Sequence, residues 1–319
     1  MKILANDGIS KAGVEKLEQA GFEVSTQHIE QEALIDHINS KGITALLVRS
    51  ATKVRKELID ACPTIKLIGR GGVGMDNIDV EYARNKGMHV INTPAASSQS
   101  VAELVMGQLF ALSRGVHDAN REMPVQGNSA FKALKKKYAK GQELRGKTLG
   151  IVGFGRIGQS LATYALGAGM RVKAVDFSTN PVEITVPIGD EMKTKVVIKP
   201  VADLSDIIQE LDYISIHVPK QANGEAVIID ETIQKMKDGV IIVNAARGGV
   251  IDEDAILKNL NIGKIRAIAL DVFENEPTPR KDLLVHEKIA ATPHIGAATL
   301  EAQTRIGIEL AEQIIKHLK

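Results

Sequence analysis

An apolar stretch, Thr148-Leu149-Gly150-Ile151-Val152, runs directly into Gly153-Phe154-Gly155-Arg156-Ile157-Gly158 and then into a helical pattern. A second strand-like stretch, Arg171-Val172-Lys173-Ala174-Val175, ends in Asp176, eighteen residues beyond Gly158. Strand, Gly-x-Gly-x-x-Gly turn, helix, strand and acid, in that order, match the fingerprint of a dinucleotide site. Gly153 permits the tight turn, Gly155 lets backbone approach a pyrophosphate, and Gly158 lets the helix pack close on the sheet. Unpaired N–H groups at the positive helix end then receive the anion. A carboxylate at Asp176 bonds a ribose 2′-OH and repels a 2′-phosphate, and Phe177, Ser178 and Thr179 bring no cation for that phosphate. The pattern therefore predicts NAD over NADP. The ordinary alternative for Asp176 is a solvated acid capping a strand end.

Elsewhere, strand-like and helix-like segments alternate, which predicts an α/β protein with parallel sheets. Strands are expected at Lys2–Ala5, Phe22–Val24, Ala45–Val48, Leu67–Gly69 and His89–Ile91. A second set is expected at Thr148–Val152, Val172–Val175, Tyr213–His217, Val240–Asn244 and Ala267–Leu270. Ser10 is a candidate helix cap, with Val14 and Leu17 on the inner face. Ile306, Leu310, Ile314 and Leu318 repeat every four residues and predict a last helix over Leu300–Leu318 that returns to the first domain. The expectation is two doubly wound domains, a Rossmann domain over 99–289 inserted in a flavodoxin-like substrate domain formed by 1–98 and 290–319.

Composition narrows the function classes. A net charge of +1 over 319 residues gives no reason to expect a nucleic-acid or acidic-membrane partner. The single cysteine, Cys62, excludes an internal disulfide framework and a multi-cysteine metal site, and no metal is expected. No stretch has the roughly 20 apolar residues of a membrane span, and the first residues do not read as a secretory signal. A cytoplasmic enzyme is the expectation. The basic run Lys132–Lys140 reads as a solvated surface segment.

Three later segments carry the chemistry. One expected strand leads into Ala245-Ala246-Arg247-Gly248-Gly249, and another into Asp271-Val272-Phe273-Glu274-Asn275-Glu276-Pro277. The third is Thr292-Pro293-His294-Ile295-Gly296. In open α/β sheets ligands gather beyond the carboxyl ends of strands. Hydride transfer from a secondary alcohol needs a base for the hydroxyl proton and a cation for a carboxylate and carbonyl oxygen. His294 and Arg247 suit those roles by type, and either Glu274 or Glu276 could orient the imidazole. Each also has an ordinary structural alternative: a surface cation, a hydrogen-bonded histidine, a loop acid before Pro277.

With Val48-Arg49-Ser50-Ala51-Thr52-Lys53-Val54, Gly69-Arg70-Gly71-Gly72-Val73-Gly74-Met75-Asp76-Asn77 and Asn92-Thr93-Pro94, these motifs resemble the D-isomer-specific 2-hydroxyacid dehydrogenases along nearly the whole chain. The first two motifs favour the branch that oxidises D-3-phosphoglycerate and opens serine synthesis. The resemblance implies a triad of Arg247, Glu276 and His294: Arg247 gripping the carboxylate and carbonyl, His294 exchanging the hydroxyl proton, Glu276 bonded to His294. It implies NAD contacts at Arg156, Ile157, Asp176, Ala245 and Asp271, beside Gly153, Gly155 and Gly158. Substrate contacts are implied at Arg49, Arg70, Gly72, Val73 and Gly74, with Arg49 the candidate for a phosphate. A homodimer through the nucleotide domain is implied as well. Two departures stand out. Many relatives carry a Trp with nearby cations where this chain has about Asn128–Lys140, and the regulatory domain that some relatives carry after the last helix is not expected here. A D-lactate, glyoxylate or hydroxypyruvate reductase is the alternative on the same scaffold. From another class, the alternative is an NAD(H)-sensing corepressor.

Overall fold

The structure, a computed structural model, describes residues 1–221 and 223–319. The chain divides into two units, Met1–Ser100 with Ala297–Lys319, and Val101–Gly296.

The first unit is built on five parallel strands: β1 (Lys2–Ala5), β2 (Glu23–Ser25), β3 (Ile43–Val48), β4 (Leu67–Arg70) and β5 (His89–Asn92), in the order β2-β1-β3-β4-β5. The central β3 is buried on both faces, so it reads as a nearly continuous apolar run rather than an alternating one. Leu46 and Val48 enter one core, and Ala45 and Leu47 enter the other. Ser10 caps the helix Lys11–Gln19, its Oγ accepting from Gly13 N at 3.3 Å, and Leu17 is buried. The helix Leu300–Leu318 packs on the same unit and buries Ile306, Leu310, Ile314 and Leu318.

The second unit holds a six-stranded parallel sheet: β6 (Thr148–Val152), β7 (Arg171–Val175), β10 (Tyr213–Ile216), β11 (Val240–Asn244), β12 (Ile265–Leu270) and β13 (Ile289–Ala291), in the order β13-β12-β11-β10-β6-β7. Ile241 and Val243 point to one core, Val240 and Ile242 to the other. The boundary expected at residue 290 moves to Gly296. The physical reason is β13, whose Ile289, Ala290 and Ala291 pair with Ile268, Ala269 and Leu270 of β12.

Two features add to the sequence expectation. An antiparallel hairpin, β8 (Val182–Ile188) with β9 (Met192–Ile198), buries Ile184, Val186 and Ile198 in the core shared with Leu161 and Ala162 of the helix Arg156–Gly167. The basic run keeps its lysines exposed, as expected, and its first part ends a helical segment, Val116–Lys137, that is kinked at Ala130. Its Lys137 is committed within that segment, with Nζ 2.6 Å from Glu122 Oε1 and 3.2 Å from Asp118 Oδ2. Leu134 of the same run is buried.

Candidate active site

Strand order reverses between β6 and β10, and the glycine turn stands at that switch point, where open α/β sheets bind ligands. Gly153 has φ 93°, and a Cβ there would come within 2.6 Å of the His217 carbonyl oxygen at the end of β10. A Cβ on Gly158 would collide with the Gly153 carbonyl, so the helix Arg156–Gly167 closes on the turn only with glycine at both places. At Gly155 nothing lies within 4 Å of such a Cβ. This open side is the one a pyrophosphate would fill. Gly155 caps the helix without a side-chain bond, and Arg156 and Ile157 begin it.

Asp176 follows β7. One carboxylate oxygen accepts from Phe154 N at 2.7 Å and the other from Ser178 N at 3.1 Å. It lines a cleft of about 690 Å³ with Gly153, Phe177, Pro219, Lys220 and Lys235. The shape, the glycine turn and the fixed acid fit a dinucleotide whose ribose lies on Asp176. The sequence reading found no cation directly after Asp176, and the fold supplies two lysines to the cleft from other loops.

His217, after β10, places Nε2 2.8 Å from Ser215 Oγ, and its Nδ1 is buried without a partner. Burial pushes this imidazole down to about 4, so a neutral ring stands behind the glycine turn.

The other reactive groups follow β11, β12 and β13. Glu276 Oε2 lies 2.8 Å from His294 Nδ1, while Oε1 accepts from Phe273 N at 3.0 Å. Of the two acids left open by the sequence, Glu276 is therefore the one that holds the imidazole. With Nδ1 directed at a carboxylate, Nε2 is the nitrogen available to a substrate. His294 has φ 55°, a left-handed conformation that costs a non-glycine residue on the order of 1–3 kcal/mol.

The buried Asp271 holds this turn. Its Oδ1 accepts from Thr292 Oγ1 at 2.6 Å and Ile295 N at 2.9 Å, and its Oδ2 accepts from Gly296 N at 2.9 Å. Asp271 was expected as a cofactor contact; the structure gives its carboxylate three donors within the loop of His294. Arg247 is fixed by the buried Asn244, whose Nδ2 donates to Arg247 O at 2.9 Å and whose Oδ1 accepts from Ala246 N at 3.1 Å. Ala245 lies at the start of that turn. Sequence reasoning had no signal for Asn244, since an Asn closing a strand reads as a turn former.

In the first unit, the loop after β3 is held from both sides. Asp7 Oδ2 accepts from Arg49 N at 2.6 Å and Thr52 N at 3.1 Å, and Asn77 Nδ2 donates to Arg49 O at 2.9 Å. No carboxylate among the described residues pairs with the Arg49 guanidinium. After β4, Gly72 has φ 145°, and a Cβ there would strike the Arg70 guanidinium. Of the loop residues expected to touch substrate, Gly72 has its N–H already donated to Arg70 O at 3.0 Å. The loop's Val73 and Gly74 are left to offer theirs.

The family model of the D-isomer specific 2-hydroxyacid dehydrogenase NAD binding domain matches residues 106–296. A hydroxypyruvate reductase of Thermotoga maritima is 43% identical over 321 residues, covering 99% of this chain and 98% of that one. The chain belongs to the D-isomer-specific 2-hydroxyacid dehydrogenases.

Within this dehydrogenase family, a D-3-phosphoglycerate dehydrogenase of Methanocaldococcus jannaschii is 42% identical over 320 residues. The chain spans 58% of that relative's length. Among solved structures, an acyclic imino acid reductase in complex with NADPH and D-Arg superposes with a TM-score of 0.84 at 27% identity, covering 100% of this chain and 97% of that one. The dehydrogenase fold and its NAD-binding domain are thereby established. No helix among the described residues is long and apolar enough to cross a membrane, and no group of three or more His, Cys, Asp or Glu among them could hold a metal ion.

Proposed function

We propose that this dehydrogenase oxidises D-3-phosphoglycerate to 3-phosphohydroxypyruvate. Bound NAD supplies the hydride acceptor for C2. His294 Nε2 takes the hydroxyl proton, and Glu276 on Nδ1 favours the charged imidazole that results. Arg247 holds the substrate carboxylate and polarises the oxygen at C2. The observation that carries the phosphorylated substrate is Arg49, whose backbone is bonded by Asp7 and Asn77 while its guanidinium meets no carboxylate among the described residues. Guanidinium is well shaped for a phosphate oxygen pair.

A second reading has its own support. The hydroxypyruvate reductase relative matches along 98% of its length. At the same oxidation level of C2, the substrates of the two readings share one carbon skeleton and differ by a phosphoryl group on C3. The test is kcat/KM for 3-phosphohydroxypyruvate against hydroxypyruvate, and for D-3-phosphoglycerate against D-glycerate, read as NADH absorbance. Preference for the phosphorylated acids supports the proposal, and preference for the plain acids overturns it in favour of the second reading. Turnover of either removes a purely NAD(H)-sensing role.

A homodimer through the second unit belongs to the same proposal. On Ser98–Arg114 most apolar side chains, Val105, Met106, Leu109 and Leu112 among them, are buried within the unit. The exposed ones are Phe110, then Val116, Met123, Val125 and Phe131 of the following helix. This run of exposed apolar side chains is what a partner copy would cover.

A further inference from the structure

We propose that Glu253 is a positioning residue for the Glu276–His294 pair, acting through the backbone of the turn that carries Glu276. The inference rests on the assignment of Glu276 and His294 as the proton-handling pair.

Glu253 opens the helix Glu253–Asn261 and is only 4% exposed. A carboxyl in that position has no capping work to do. Asp252 already caps the helix, its Oδ1 accepting from Asp254 N at 2.9 Å and Ala255 N at 3.1 Å. A buried carboxyl is costly unless its oxygens meet donors. Glu253 Oε1 meets one: it accepts from Glu274 N at 2.9 Å. Its Oε2 is buried without a partner. No cation among the described residues lies in ion-pair range of it.

The charged groups facing Glu253 are Glu274, Asp282 and Arg280. Arg280 is itself bonded to Asp254 at 2.6 Å and Asp282 at 2.8 Å. Burial first, then the neighbouring acids Glu274 and Asp282, raises the Glu253 carboxyl above its ordinary value, against the Glu274 N–H and Arg280.

The bond to Glu274 N lies at a junction. The Phe273–Glu274 peptide passes so close over Gly248 that a Cβ there would run into the Phe273 carbonyl. Gly248 is next to Arg247. One residue before Glu274, the Phe273 N–H is taken by Glu276 Oε1 at 3.0 Å. Glu253 therefore grips the peptide that lies against the Arg247 turn on one side and sets the Glu276 carboxylate on the other. Without that acceptor the Glu274 N–H loses the part-buried bond that ties its peptide to the helix Glu253–Asn261, and the turn is free to move.

The test uses three variants in the full chain. Glu253→Gln keeps an oxygen that can accept from Glu274 N; its kcat should stay within about twofold of wild type, with an unchanged pH profile. Glu253→Met keeps the length and removes the acceptor; kcat should fall about tenfold or more. Its NADH dissociation constant, read by fluorescence, should stay within about twofold. The acidic limb of its oxidation profile should move in the same direction as in Glu276→Gln. In the double variant with Glu276→Gln the two losses should fail to multiply, because both act through one carboxylate. If Glu253→Met does not fold, Glu253→Asp, too short to reach Glu274 N, takes its place with the same expected loss.

Wild-type kcat and pH profile in the Met or Asp variant would overturn the proposal. So would a Gln variant as damaged as the Met variant, or losses that multiply fully. His294→Ala is assayed beside them. If it retains turnover, the catalytic assignment fails; if it is inactive while Glu253→Met is normal, only the role of Glu253 fails.

Discussion

Replacing His217 by Gln removes a proton-binding site that the folded protein suppresses. Burial holds the imidazole at about 4, against 6.5 for the free group. The folded value is the depressed one, so the unfolded chain takes up this proton first as pH falls. The stability involved is intact above about pH 6.5 and is lost as pH drops toward 4. At pH 5 protonation favours the unfolded chain at this site by about 2 kcal/mol, and at pH 7 by only about 0.2 kcal/mol. Wild type should therefore lose roughly 2 kcal/mol between pH 7 and pH 5 through His217 alone. Urea unfolding of wild type and His217→Gln at both pH values measures it. All other groups are common to both proteins and cancel in the double difference. Wild type should show the steeper loss by about that amount. Equal losses in the two proteins would refute the reasoning, because the ring would then titrate alike folded and unfolded. The effect bears on function because the His217 carbonyl is the surface on which Gly153 turns.

His294→Ala should lower kcat by roughly 10²–10⁴-fold with little change in NADH affinity; near-normal turnover would remove it from the mechanism. Glu276→Gln should move the acidic limb of the oxidation profile to lower pH, since the imidazole loses the anion that favours its charged form; an unmoved profile would show that the 2.8 Å contact is electrostatically idle. Asp176→Ala should weaken NAD binding and narrow the preference over NADP, and equal wild-type efficiency with the two cofactors would count against Asp176 as the selector. Arg49→Ala should raise KM about ten- to a hundredfold for the phosphorylated substrate, the scale of one charge-assisted bond. Slow turnover of the plain acid should be unchanged; equal damage to both would move Arg49 to carboxylate binding. Light scattering at micromolar concentration should give a dimer, and Val125→Glu with Phe131→Glu should give a monomer.

The two sheets were legible because their strands are buried on both faces. Val240-Ile241-Ile242-Val243 has no polar residue to be mistaken for a loop, and all four are buried. Elements lying on the surface were harder to read. The hairpin β8–β9 alternates apolar and polar residues over a stretch with charges, Pro187 and Gly189, and only its contact with the nucleotide helix makes it a core element. The strand β13 has three residues, Ile289–Ala291, too few for a periodic signal, and it moved the domain boundary because pairing with β12 decides its place. Lys132–Lys140 is the solvated segment its charges suggested, and its lysines did not display that it follows a kinked helical segment. Lys137 is there to meet Asp118 and Glu122, nineteen and fifteen residues back, a relation that spacing along a basic run does not display.

At the candidate site, residue type singled out the groups proposed to react and passed over the groups that hold them. The side chains of His294 and Glu276, the proposed proton-handling pair, are 43% and 36% exposed, so the imidazole is within reach of a substrate. Their supports are the reverse: Asn244, Asp271 and Glu253 are at most 4% exposed, and their carboxyl or amide oxygens accept from backbone N–H groups of the reactive loops. In the sequence an Asn or Asp at a strand end reads as a turn former, and a Glu opening a helix reads as a favourable helix-dipole charge. What separates a cap from a support is which amide the oxygen meets. For Glu253 that amide lies 21 residues away in the chain, on another strand's loop. Exposed loops can keep a reactive geometry only if buried polar groups fix their backbone, because a loop has few apolar contacts of its own to hold it. Under the proposed mechanism the three supports hold the loops of the triad, and substitutions at them should alter turnover before they alter cofactor binding.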